Sequence, residues 1–134
     1  MKNKRIKYID RTVLITGMHI GLCVNEKQFK NELNRLKIKD NIDYCKVVDG
    51  ATTHFFQIKK EDKNIAIVCM NVSKKSSLIE SHALIVHELY HIWKYVLKDL
   101  DERNPGEEME CYGLQNLFLS LADAYDKMTK KATK

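Results

Sequence analysis

The chain has 134 residues, a length that fits one domain with a sizeable hydrophobic core. Hydrophobic residues make up 44% and charged residues 31%, as in ordinary soluble globular proteins, and no apolar run is long enough for a membrane span or a signal peptide. The net charge of +5 comes from the two ends, since removing the eight Lys and Arg residues of 1–7 and 127–134 leaves 15 of the 23 basic residues against 18 acidic ones. This distribution excludes a strongly basic nucleic-acid-binding domain.

The two basic ends, at about 1–11 and 127–134, are expected to be solvated tails that touch nucleic acid weakly at most. Between them the sequence contains no repeat and no low-complexity tract, so 1–134 is predicted to be a single domain. The four cysteines form no C-x-x-C pair. Without an export signal we expect reduced thiols and a cytoplasmic location.

Short β-branched or apolar runs predict strands at 12–16, 53–58 and 65–70, whereas 18–24 alternates too weakly to be assigned. The run at 65–70 is apolar on both faces and therefore predicts an inner strand. The charged residues 59–64 predict a hairpin turn between the last two strands. Together these runs predict a small antiparallel or mixed sheet.

Two helices are predicted from their N-terminal capping residues. Asn25 is a good N-cap with Gln28 three positions later, which starts the first helix. Ser77 and Glu80 match the capping box of a second helix, which runs to about Leu97 without Gly or Pro. This second helix is apolar on most faces, so we expect it to be buried.

A third helix is predicted over about 105–128, with Asn104 as N-cap, Pro105 at the first helical position and Glu107 at the third. Strands and one helix followed by two long helices predict an α+β fold, with the helices over one face of the small sheet. The residues of the third helix expected to be buried are Met109, Tyr112, Leu114, Leu117, Phe118, Leu121, Ala122 and Tyr125.

His87, Glu88 and His91 form the pattern H-E-x-x-H inside the second helix. Side chains four positions apart lie about 40° from the same direction around a helix, so the two imidazoles can converge on one metal ion. Glu88 lies about 100° from His87, where it can reach a water at that ion without ligating it. Two core histidines would be the alternative, but three polar groups on an apolar surface need a partner. The pattern therefore predicts a zinc hydrolase site.

A catalytic zinc usually has three protein ligands, so a third is expected outside this pattern. Glu107, Glu108 and Glu110 lie together at the start of the last helix, which a short connection brings close to the metal helix. Carboxylates at this position also favour the positive end of the helix dipole. The spacing alone does not choose among the three.

H-E-x-x-H followed by Glu-x-x-small on a second helix resembles the gluzincin pattern of zinc peptidases. Glu108 to Cys111 fits the second part, with cysteine where alanine is common. More narrowly, the chain is similar to small zinc metallopeptidase-like proteins of phages and prophages, over about 12–125, with Met18 where that family favours an aromatic residue. The residues that carry the resemblance are 14–19, 22–23, 87–93 and 105–115.

This resemblance implies a minimal zincin-like domain that binds Zn²⁺ through His87, His91 and Glu108 and acts in the host-cell cytoplasm if phage-encoded. We expect a zinc-dependent metallohydrolase, a peptidase with a protein or peptide substrate, in which Glu88 is the general base. Tyr112 lies one turn beyond Glu108, where it is expected to act as an oxyanion donor or to anchor a histidine, with simple packing as the alternative.

Two other functions compete with this interpretation. The domain could be a non-catalytic, zinc-stabilised adaptor or protein-binding module of phage origin, whose closed site needs a fourth ligand such as Cys111, His54 or His19. Glu88 has no role in that hypothesis, so we rank it second. Association with nucleic acid through the two basic ends is the third.

Overall fold

Residues 5–9 and 18–130 are described by the structure, a computed structural model. They form an α+β fold with a mixed four-stranded sheet and three helices, which confirms the predicted fold class. The predicted strand at 12–16 lies outside the described residues. The elements in chain order are β1 (Lys7–Tyr8), β2 (Met18–Cys23), α1 (Glu26–Arg35), β3 (Gly50–Ile58), a short 3-10 helix (Lys59–Glu61), β4 (Lys63–Asn71), α2 (Leu78–Asp99) and α3 (Glu107–Thr129).

The strands lie in the order β1-β2-β4-β3, with β2 and β4 parallel and the two outer pairs antiparallel. The inner strand β4 is buried on both faces, as predicted: Ala66 and Val68 pack toward α2 and α3, whereas Ile65 and Ile67 pack toward α1. The prediction that all helices cover one face is therefore wrong. A strand that is apolar on both faces needs cover on both, and α1 supplies the second layer.

The segment at 18–24, which the sequence left unassigned, contains β2 and is almost entirely buried. Part of the predicted N-terminal tail is also ordered, because Lys7 and Tyr8 pair with β2 and Ile9 is buried beside it. At the other end, α3 continues through Thr129 and includes part of the predicted basic tail. No helix among the described residues is long and apolar enough to cross a membrane.

The start of α2 follows the predicted capping box. Ser77 Oγ accepts a hydrogen bond from the backbone N–H of Glu80, and Glu80 Oε1 accepts one from the N–H of Ser77. The preceding loop is held to the turn before β3, because the Asp49 carboxylate accepts hydrogen bonds from the N–H of Ser73 and the hydroxyl of Ser76. These bonds hold the pKa of Asp49 below its usual range, and they fix how α2 leaves the sheet.

The start of α3 differs from the prediction. Its N-cap is the extended residue Gly106, so Asn104 and Pro105 belong to the connection and the helix begins two residues late. Met109 and Tyr112 were predicted to be buried, but they are 45% and 60% exposed. Leu117 marks the buried side of α3, and Tyr112, five positions earlier, lies about 140° around the helix from it.

A close contact fixes α3 against α2 near this start. Trp93 on α2 donates its indole N–H to Glu110 Oε2 on α3 at 3.0 Å. Three residues further along α3, a Cβ added at Gly113 would lie 2.4 Å from the buried Trp93 ring. Because Gly113 has no side chain, the Trp93 ring can lie between the two helices.

A Gly113→Ala substitution should lower the free energy of unfolding by about 1 kcal/mol. The added methyl group overlaps a buried ring, and overpacking of this kind costs about 1–3 kcal/mol, more than the roughly 1 kcal/mol that the better helix propensity of alanine can return. Urea unfolding measures the change. Asn116→Ala, at an exposed position of the same helix, is the control and should not lower stability; equal stability of the two variants would contradict the packing assigned to Trp93.

Candidate metal centre

His87 and His91 lie one turn apart on the solvent-facing side of α2. Their ring centroids are 5.0 Å apart, and the His87 side chain is 70% exposed. The residues that α2 buries, among them Ile85, Leu89 and Ile92, lie around the other side of the helix. The helix is therefore buried along one side, and the two predicted imidazole ligands are accessible from solvent.

Glu88 is buried between this exposed pair and the sheet, with 5% of its surface accessible. Its two carboxylate oxygens have different surroundings. Oε1 accepts a hydrogen bond from the hydroxyl of Thr53 at 2.7 Å, whereas Oε2 lies 4.0 Å from Nε2 of His87. One oxygen is thus held by the sheet, and the other faces the histidines.

Strand β3 brings Thr53 to this position. It pairs along its whole length with β4, from Gly50 opposite Asn71 to Ile58 opposite Lys63, and lies at the edge of the sheet. Because side chains alternate along a strand, Thr53 and Phe55 both point toward α2. The Phe55 ring stacks on Tyr95 of α2 with a centroid distance of 4.5 Å. This contact holds β3 in a fixed position against α2.

One ligand atom from each of His87, Glu88 and His91 lies within 4.8 Å of the others. Among the described residues, no other set of His, Cys, Asp and Glu side chains is grouped in this way. Two imidazole nitrogens beside a carboxylate suit zinc and other divalent first-row metals, so the donor chemistry fits a metal ion without fixing its identity. These three residues form a possible metal site in α2.

The three acidic residues proposed to supply a third ligand lie outside this group. Glu107 and Glu108 are exposed, and the carboxylate of Glu110 accepts the Trp93 hydrogen bond. The side of α2 that Trp93 presents to α3 is about 120° from His87 and about 160° from His91 around the helix. The start of α3 thus packs on a different side of α2 from the histidines, and ligation by Glu108 stays a prediction.

Tyr112 is exposed on α3 and is not part of the core, so its catalytic role also stays a prediction. The candidate fourth ligands are dispersed. His54 donates its Nε2 hydrogen to the carbonyl oxygen of Tyr44 on the α1 face of the sheet, and His19 lies on that same face. Cys111 is exposed on α3.

Thr53 is the site residue that sequence reasoning missed. The alternation at 53–58 places Thr53 and Phe55 on one face of a strand, but it does not say which helix covers that face or at what register. The contact with Glu88 joins residues 35 positions apart, and it follows from the packing of α2 on the sheet.

No known family model, curated protein or solved structure matches this chain. The resemblance to zinc peptidases therefore rests on sequence motifs alone, and the evidence for function lies in the geometry of the site.

Proposed function

We propose that the chain is a zinc-dependent hydrolase that cleaves peptide bonds, with Glu88 as the general base. The observation that supports this most directly is the grouping of His87, Glu88 and His91, with the carboxylate buried and the two imidazoles exposed. A buried carboxylate beside two accessible imidazoles separates a proton acceptor from two metal ligands, as metal-assisted hydrolysis requires.

His87 and His91 would hold the metal through one ring nitrogen each. The resemblance to zinc peptidases adds Glu108 as the third ligand, although the start of α3 packs on a different side of α2 from the histidines. When bound, zinc supplies Lewis-acid chemistry that makes water a nucleophile at neutral pH and polarises a carbonyl group. Glu88 accepts one proton from the water as the water oxygen bonds to the carbonyl carbon. It then gives that proton to the nitrogen of the leaving amine as the C–N bond breaks.

A peptide substrate is favoured by the position of β3. This strand lies at the edge of the sheet and carries Thr53, the hydrogen-bond partner of Glu88. The backbone N–H and C=O groups on its free edge are suited to pair with an extended chain by strand addition. A peptide bound along β3 would pass beside Glu88 and the two histidines.

The adaptor hypothesis gains no specific support. A closed structural zinc needs a fourth protein ligand. Of the three candidates, His19 and His54 lie on the opposite face of the sheet from α2, and Cys111 is exposed on α3.

The test is to load the purified chain with one equivalent of Zn²⁺ and incubate it with unfolded casein. Mass spectrometry should detect new peptide termini, and removal of the metal with 1,10-phenanthroline should stop their formation. Absence of zinc binding would contradict the metal site. Tight zinc binding without cleavage would contradict the peptidase proposal and leave the site as a metal centre of another kind.

A further inference from the structure

The geometry points to Thr53 as the residue that positions Glu88 for proton transfer, an inference that rests on the proposed function. Thr53 does not belong to the H-E-x-x-H pattern and comes from a different element, the edge strand β3. It acts through Glu88, so it is a positioning residue. Its hydroxyl would determine which carboxylate oxygen is available to the attacking water.

The hydrogen bond itself provides the first part of the argument. At 2.7 Å, the Thr53 hydroxyl donates to Oε1 of a carboxylate that is 5% exposed. A hydrogen bond to a charged, buried acceptor is stronger than one between neutral groups. This bond restrains Oε1, and Oε2 lies on the side of His87, 4.0 Å from its Nε2.

The rigidity of the donor provides the second part. The Thr53 backbone lies opposite Val68 of the inner strand β4, so its main chain is held by the sheet. Threonine is branched at Cβ, which restricts its first side-chain torsion. The Phe55–Tyr95 stack fixes β3 against α2 two residues further along the strand. A donor on a paired strand positions a site residue more sharply than one on a loop.

Acetohydroxamic acid can test this positioning without any substrate being known. It binds a zinc ion through two oxygens and must lose its hydroxyl proton as it does so. A correctly placed Glu88 carboxylate accepts that proton, so hydroxamate affinity reports the position of Glu88. The affinity for zinc alone depends on the metal-ligating residues and not on the position of Glu88. Isothermal titration of the zinc-loaded, full-length chain gives both values.

Thr53→Val keeps the shape of the side chain and removes the hydroxyl group. We expect it to weaken acetohydroxamate binding about tenfold while zinc affinity stays within about twofold of wild type. Thr53→Ser restores the hydroxyl without the branched Cβ and should bind the hydroxamate more tightly than Thr53→Val. Thr52→Val is the matched control, because Thr52 is the neighbouring residue on the opposite face of β3, and it should change neither affinity.

Equal hydroxamate affinity of wild type and Thr53→Val would overturn the inference, as would an equal loss in Thr53→Ser and Thr53→Val. A loss of zinc affinity in Thr53→Val would also overturn it, because the hydroxyl would then act on metal binding and not only on the position of the base. If Thr53→Val does not fold, the Thr53→Ser and Thr53→Ala pair carries the same comparison. Failure of the wild-type chain to bind zinc would instead overturn the proposed function on which the inference rests.

Discussion

Glu88→Gln is expected to bind zinc as tightly as wild type and to lose peptide cleavage by a factor of about 10²–10⁴, the usual contribution of a general base. Glutamine has the size and shape of glutamate, and its amide oxygen can still accept the Thr53 hydrogen bond. It cannot take a proton from water at neutral pH. Cleavage of unfolded casein by the zinc-loaded variant, with zinc affinity measured alongside, tests both parts of the expectation.

Glu26→Gln is the matched control for this change. Glu26 is an exposed glutamate at the start of α1, and α1 lies on the other face of the sheet from α2. The Glu26→Gln variant should cleave casein at the wild-type rate. Undiminished cleavage by Glu88→Gln would show that another group accepts the proton. Loss of zinc from the same variant would show that Glu88 is a ligand, which would change the proposed mechanism.

The local features of this fold were readable from the sequence because their causes lie within a few residues. The capping box of α2 depends only on Ser77 and Glu80, and both predicted hydrogen bonds are present. The N-cap Asn25 likewise accepts from the N–H of Gln28 at 2.9 Å. The predicted start of α3 was wrong because Asn104-Pro105 is compatible with either a helix N-terminus or the loop before it. Packing of α3 against Trp93 decides between the two.

The position of α1 could not be predicted from the same information. Residues 65–70 are apolar on both faces, which indicates that something covers each side but not which helix does so. The covering of the second face by Phe29 and Leu33 depends on how the chain crosses from β2 to β3. The path of that connection depends on the order of all the strands in the sheet, which no local pattern encodes.

In the candidate site too, features set by local spacing were predicted and features set by tertiary packing were not. His87 and His91 were predicted to converge because helix geometry alone brings positions four apart together, and their rings do lie 5.0 Å apart. Their exposure was not predicted, since the helix carries apolar residues on most faces. The Thr53 contact and the position of the α3 carboxylates depend on how β3 and α3 pack on α2, and no short spacing encodes that.

Loss of zinc binding is the expected result of His91→Ala, and Glu108→Ala should also weaken zinc binding strongly. Removing a hydrogen-bond partner of a metal ligand typically costs 10- to 100-fold in affinity, and removing a ligand should cost at least as much. Competition of each variant with a fluorescent zinc chelator measures the affinity. Without metal, both variants should stay within about 1 kcal/mol of wild-type stability, because both side chains are exposed and Glu108→Ala loses only its interaction with the helix dipole.

Glu107→Ala separates ligation by Glu108 from a general effect of charge at the start of α3. Both glutamates are exposed residues in the first turn of α3, so both favour the helix dipole, but only Glu108 is proposed to bind zinc. Glu110→Ala should act differently, because it removes the acceptor of the Trp93 indole and therefore lowers stability. If Glu108→Ala and Glu107→Ala bind zinc equally well, α3 does not contribute its Glu108 to the metal. The two histidines would then have to act with Glu88 or with another group, and Glu88 could no longer be assigned as the base on the pattern of the motif alone.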